Sequence, residues 1–247
     1  MIAIYRMSFA CIRKFWWFFL LIALILEVAS AALDSKARLG GELFLQFSFV
    51  YFLHRHMLLG EGPDSAFGGS KTARASGRRG FLWVMMIYVF SLSALTLAGF
   101  IWLSPVPITT VPGLLLFVLF FILGNWIGLS FFGTAFPASA TGDAFGLRVT
   151  YQRARSTWLA TALRLLLGPA IVGAVGIGLL ILLPILRGIM PGLELADLQK
   201  PFEPILIVRG LLGLAARLSG MTATTLAVAI LCEAYRSIQP APVDTTA

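Results

Sequence analysis

Charge is what this chain has least of. Only 12% of its 247 residues are Asp, Glu, Lys or Arg, while 59% are hydrophobic. A soluble domain carries about twice that share of charge, so a water-exposed globular surface is excluded and a lipid bilayer is the solvent that fits. Cysteine is scarce as well. Cys11 and Cys232 have neither a CxxC neighbour nor a surrounding Cys/His set, which leaves zinc and thioredoxin-like chemistry without ligands. Both lie near the cytoplasmic ends of apolar runs in the topology argued below, where a structural disulfide does not persist. The formal net charge of +8 is spread in short basic clusters between apolar runs. That placement suits orientation against anionic lipid and sets nucleic acid aside as a partner.

What the chain has in quantity is long apolar runs. A spanning helix needs about 20 mostly apolar residues, and the segments 15–33, 81–103, 113–133, 159–186 and 205–232 each meet that standard. A further segment, 42–59, is shorter and more polar, and reads either as a span or as a re-entrant or interfacial helix. Parity favours a span. Arg6, Arg13 and Lys14 at the N-terminus, Lys71, Arg74, Arg78 and Arg79 in the 60–80 loop, Arg148, Arg153 and Arg155 in the 134–158 loop, and Arg236 then all fall on one side, as a cytoplasmic face requires. Lys36, Arg38, Arg187 and Lys200 take the other side. The expected fold is all-α: one polytopic transmembrane helix bundle over residues 1–247, with about six spanning helices and both termini in the cytoplasm. The first segment also reads as a cleavable signal peptide, with a basic start, an apolar core and the small residues Ala29-Ser30-Ala31.

The loops offer little chemistry. Gly and Ser dominate 60–80, which reads as a flexible, solvated basic linker; its GGSKT misses the phosphate-loop pattern because Ser70 separates Gly69 from Lys71, and no strand precedes it. Segment 134–158 is expected to form a short helix along the inner interface. The outer loop 187–204 is punctuated by Pro191, Pro201 and Pro204, with room for one short helix.

Polar residues inside the apolar runs are the best functional pointers, since each charge costs roughly 3 kcal/mol or more at the bilayer centre unless paired or hydrated. They are Glu27, His54, Arg55, Arg164, Arg209 and Arg217, with Asn125 as a neutral companion. At about 1.5 Å per residue, Arg217, Asn125 and His54 each lie about 18 Å from the outer face and are expected to form one mid-membrane polar layer. Glu27 and Arg209 lie nearer the outer face and form a candidate ion pair. Two readings of the layer stand side by side: a path for an ion, a proton or a lipid headgroup, or cross-helix hydrogen bonds that fix the bundle while Arg55 and Arg164 snorkel to the interface. A cation pathway usually shows more than one deep acid, and only Glu27 is deep. In His54-Arg55-His56 the two histidines point about 200° apart on a helix and cannot chelate one metal as an i, i+4 pair would; the cluster marks a helix exit before the Gly60–Pro63 turn. Small residues mark a helix-packing seam at Gly124 and Gly128, and at Ala216, Gly220 and Thr224, while Gly168-Pro169 invites a kink.

Residues 133–170, GTAFPASATGDAFGLRVTYQRARSTWLATALRLLLGPA, and the stretch HRHMLLGEGP resemble a group of bacterial six-helix membrane proteins. That group is similar to YciC-like proteins and to the membrane domain that accompanies some glycerophosphodiester phosphodiesterases. The resemblance implies a helical protein of the bacterial inner membrane and carries over no catalytic residue. The expected function is that of a non-enzymatic accessory or scaffold subunit, contacting membrane lipids and a membrane protein complex or a second copy of itself. No catalytic, cofactor-binding or metal site is expected. The alternative is a transporter or lipid-handling permease that uses the buried polar layer. An intramembrane enzyme stands third, because no motif joins Ser130, Ser219 and His54.

Overall fold

In a medium without water, a backbone satisfies its polar groups within its own helices, and the apolar runs do so here. The computed structural model describes residues 2–32, 35–63, 73–103, 111–143, 146–179 and 204–239, and every regular element among them is helical. In chain order these are α1 (Ile2–Lys14), α2 (Trp16–Ala32), α3 (Ser35–Leu59), α4 (Ala73–Leu103), α5 (Val111–Phe132), α6 (Ala135–Thr141), α7 (Leu147–Leu165) and α8 (Pro204–Arg236). After α7 the chain continues through a π-helical turn, Leu166–Ala170, into further helix up to residue 179.

Among the described residues, Gly77–Leu103, Leu147–Leu179 and Gly210–Arg236 are long and apolar enough to cross a membrane. The number rises from three to five if two bent pairs, α1 with α2 and α5 with α6, each count as one span. The segment 42–59 lies within α3, which is not among these candidates; Glu42, Gln46, His54, Arg55 and His56 dilute its apolar content. The loop expectations fare differently. Residues 73–80 are not linker but the first turns of α4, seated where Gly77 meets the carbonyl oxygens of Ala140 and Ser139; the Gly/Ser composition does not register that tertiary support. Segment 134–158 holds the short helix α6 and, beyond the expectation, the start of a 33-residue helical stretch. Apart from Pro204, the 187–204 loop lies outside the described residues, as do 64–72 and 180–186.

Backbone contacts group the chain into two compact units, Met1–Gln46 with Leu167–Ala227, and Phe47–Leu166 with Val228–Ala247. In the first unit, α1 and α2 meet at a 73° bend around Phe15. Phe18, Phe19, Ile22 and Leu26 bury one face of α2. Pro169 has no N–H to return to the preceding turn and its ring crowds that turn's carbonyl; opening to π spacing relieves both. Gly168 beside it admits the Tyr5 hydroxyl to within 3.0 Å of where a Cβ would stand. Gly176 seats the Ala216 carbonyl and Ser219, whose hydroxyl donates to Val172 O at 2.7 Å.

The second unit is organised by aromatic packing. Tyr51, Phe81, Phe136, Ala140 and Leu231 form its core, with Tyr88 and Leu129 against it. α5 packs on α4 and α7, and α4 also packs on α6. The Trp126 indole N–H donates to Ala162 O at 2.7 Å, and Phe131 stacks on Trp158 with centroids 5.4 Å apart, so two aromatics tie α5 to α7. The chain turns by 55° between α5 and α6 at Gly133, where a Cβ would run into Leu129 O and Leu231.

Candidate functional site

In the first unit the polar residues converge on Arg217. Its Nε donates to Glu27 Oε2 at 2.8 Å, and its NH2 group donates to Glu42 Oε1 at 3.2 Å. Three helices thus meet through one guanidinium: α2 supplies Glu27, α3 Glu42 and α8 Arg217. A turn before Arg217, Gly213 makes room for the acid; a Cβ there would stand 2.5 Å from Glu27 Oε1. The side chains keep 22% (Arg217), 29% (Glu27) and 20% (Glu42) of their exposure, so the cluster is sheltered but not sealed. Glu27 therefore pairs with Arg217. The expected partner, Arg209, lies on α8 with its side chain outside the described residues.

The second unit holds His54 and Asn125, each with a partner of its own. His54 is fully buried. Its Nδ1 lies 2.9 Å from Val50 O, one turn back. A carbonyl only accepts, so the ring proton sits on Nδ1. Among the described residues Nε2 has no hydrogen-bond partner, and the ring is walled by Phe81 and Phe136 at 5.6 and 6.3 Å. Asn125 Oδ1 accepts from the Tyr88 hydroxyl at 2.6 Å, which also approaches the Asn125 carbonyl at 3.1 Å. Each of the three residues expected in the layer thus has partners of its own: Arg217 binds two acids, Asn125 a tyrosine and His54 its own helix.

His54-Arg55-His56 is a helix-exit clamp. α3 ends where Gly60 takes the left-handed conformation, φ 71°, with its N–H on His56 O at 2.9 Å, a geometry that glycine adopts without strain. That turn brings Glu61 back onto Arg55. Arg55 Nε donates to Glu61 Oε2 at 2.7 Å and its NH2 group to Oε1 at 2.5 Å, while NH1 donates to Ala140 O at 2.7 Å. A paired, planar fork of this kind suits arginine and not lysine. His56 Nδ1 donates to Glu61 O at 2.7 Å. From α8, Arg236 donates to Met57 O. Arg55 is buried within the protein and holds the end of α6.

The small-residue seam divides. Gly124 and Gly128 face α4, where a Cβ would stand 3.2 Å from Leu92 and 3.1 Å from the Tyr88 hydroxyl. Ala216 is buried against Gly176, and Thr224 donates to Gly220 O at 2.9 Å. Among the described residues, nothing lies within 4 Å of a Cβ at Gly220. Glu42, Glu61 and Tyr88 are the partners that sequence reasoning misses; Glu42 and Glu61 stand out only as carboxylates flanking α3's apolar stretch. Among the described residues no group of three His, Cys, Asp or Glu side chains is placed to hold a metal ion. No family model, curated protein or solved structure matches the chain.

Proposed function

We propose that this chain is a non-enzymatic, multi-pass protein of the bacterial inner membrane that acts as an accessory or scaffold subunit, contacting lipid and a membrane protein complex or a second copy of itself. The observation that carries the reading is the commitment of two inner arginines to internal partners: Arg217 to Glu27 and Glu42, and Arg55 to Glu61 and Ala140 O. Charges used to fasten helices to one another serve a framework. The outward surface supports lipid contact. On α4, Trp83, Ile87, Phe90, Leu97 and Ile101 are exposed, and Trp83 and Trp102 bracket them. Nineteen residues (102 minus 83) separate those tryptophans, about 28 Å of helix, close to the roughly 30 Å hydrocarbon thickness.

Six spans with both termini in the cytoplasm belong to this proposal, since that arrangement gathers the basic clusters on one side. A second reading, a transporter or lipid-handling permease, is favoured by one observation: Glu42 joins Glu27 on Arg217, so the cluster holds two acids rather than one and keeps partial exposure. Native mass spectrometry of tagged protein, mildly extracted from its own membrane, separates the two. A stoichiometric protein partner or a homo-oligomer is expected for the scaffold, whatever lipid it also holds. A lone protein that retains one lipid class would overturn that reading in favour of lipid handling.

A further inference from the structure

A cleft of about 330 Å³ opens in the second unit, lined by Asp143, Arg153, Tyr235, Ile238 and Gln239. Its geometry follows from a helix end. α6 closes on Gly142, φ 86°, whose N–H reaches the carbonyls of Ala138 and Ser139, and the Asp143 N–H bonds Ala138 O at 2.8 Å. This is a Schellman motif, and it delivers the Asp143 carboxylate to the Tyr235 hydroxyl, which donates to Oδ2. Gln239 Nε2 approaches the same oxygen at 3.4 Å, and Thr141 Oγ1 lies 3.4 Å from the Tyr235 hydroxyl. At the ring of the same tyrosine, the Arg153 guanidinium lies 5.4 Å from the centroid. One phenol therefore holds a carboxylate at its hydroxyl end and a guanidinium over its face.

The depth of the cleft follows from helix length. Leu147–Leu179 has 33 residues, about 50 Å of helix, against a hydrocarbon core of about 30 Å. Arg148, Arg153 and Arg155 all stand in the first turns, so the excess length falls at that end, in the headgroup zone. Tyr235 and Arg236 close α8, as aromatic and basic residues do at an interface.

We infer that this cleft binds a phosphoethanolamine group, an ammonium and a phosphate joined by two methylenes. Asp143 accepts from the ammonium. The guanidinium, with five N–H donors, reaches the phosphate alongside the protein contacts that Arg153 already makes. Ile238 covers the methylenes. A purely anionic headgroup meets Asp143 with like charge, and a choline headgroup offers the carboxylate no N–H and finds one ring already covered by arginine instead of an aromatic cage. The inference holds whether or not the chain joins a protein complex, because it concerns the chain's own cleft.

The test presents the intact protein with equimolar phosphatidylethanolamine, phosphatidylcholine and phosphatidylglycerol and reads retained lipid by native mass spectrometry, with free phosphoethanolamine as competitor. The wild type is expected to retain phosphatidylethanolamine about tenfold over the other two, the effect of one charge-assisted hydrogen bond. Asp143→Asn should remove the preference over phosphatidylcholine, and Arg153→Gln should weaken retention of phosphatidylethanolamine. Displacement by millimolar phosphoethanolamine assigns recognition to the headgroup; binding of the free compound without retention of the lipid keeps the chemistry and makes the source a soluble molecule. Equal retention of the three lipids by wild-type protein, with no binding of free phosphoethanolamine, overturns the inference even if neither variant folds.

Discussion

At the scale of single residues, the charged side chains are costly inside an apolar unit and are kept by pairing. Arg217 is shared by two carboxylates, so its removal leaves both without their guanidinium. Arg217→Ala is therefore expected to lower stability by about 3 kcal/mol, the lower end for breaking a buried pair because these side chains keep some exposure. Arg217→Lys should recover only part of that, since a point charge does not span two acids as a fork does. Denaturant titration in detergent measures both. An Arg217→Ala protein with a wild-type midpoint but a lost transport phenotype would shift the cluster from fastening to function. The sequence marks Glu27, Arg55 and Arg217 as expensive, and that much of the site is legible. Their pairing is not, because partner choice depends on how each helix is rotated and on how far a long side chain reaches from its own Cα level. His54 illustrates the same limit: depth alone groups it with Asn125 and Arg217, yet its Nδ1 is satisfied one turn back along its own helix.

At the scale of elements, small residues matter by what faces them. Gly128 lies under the Tyr88 ring and Gly220 faces open space, although both belong to spacing-four patterns. Gly128→Leu is expected to push Tyr88 from Asn125 and lower stability by about 1–3 kcal/mol, the usual cost of overpacking. Gly220→Leu should leave the unfolding midpoint unchanged. Paired thermal melts in one detergent check the contrast, and equal losses at both positions would show that Gly220 is packed after all. Much of the element structure is legible in the sequence: the runs 81–103, 113–133 and 205–232 correspond to α4, α5 and α8, and Gly168-Pro169 coincides with the π-helical turn. Starts and ends are less so. α1 does not stand out, because its apolar residues are interrupted by Arg6, Arg13 and Lys14, and the first turns of α4 are hidden in a Gly/Ser-rich stretch whose Gly77 meets the backbone of α6.

At the scale of the whole molecule, α3 decides on which side of the membrane the 60–80 loop lies. Length alone suffices: 25 residues give about 37 Å of helix. Polarity argues against, and the structure answers part of that objection, since Arg55 is bonded to Glu61 and Ala140 O, and Glu42 to Arg217. A paired charge costs less in lipid than a bare one, so mean hydropathy overstates the penalty of placing this helix across the membrane. If α3 crosses, residues 60–80 and 134–158 share the cytoplasmic side with both termini, and the basic clusters obey one rule. If it does not, the arginines of 60–80 are translocated, against the charge bias that orients membrane segments. Reporter fusions at residue 67, at residue 145, in the 187–204 loop and at the C-terminus test this directly. Cytoplasmic signals are expected at 67, 145 and the C-terminus, with a periplasmic signal from 187–204. A periplasmic signal at 67 would remove α3 from the set of spans and require the two ends of the chain to lie on opposite sides of the membrane, unless another segment re-enters.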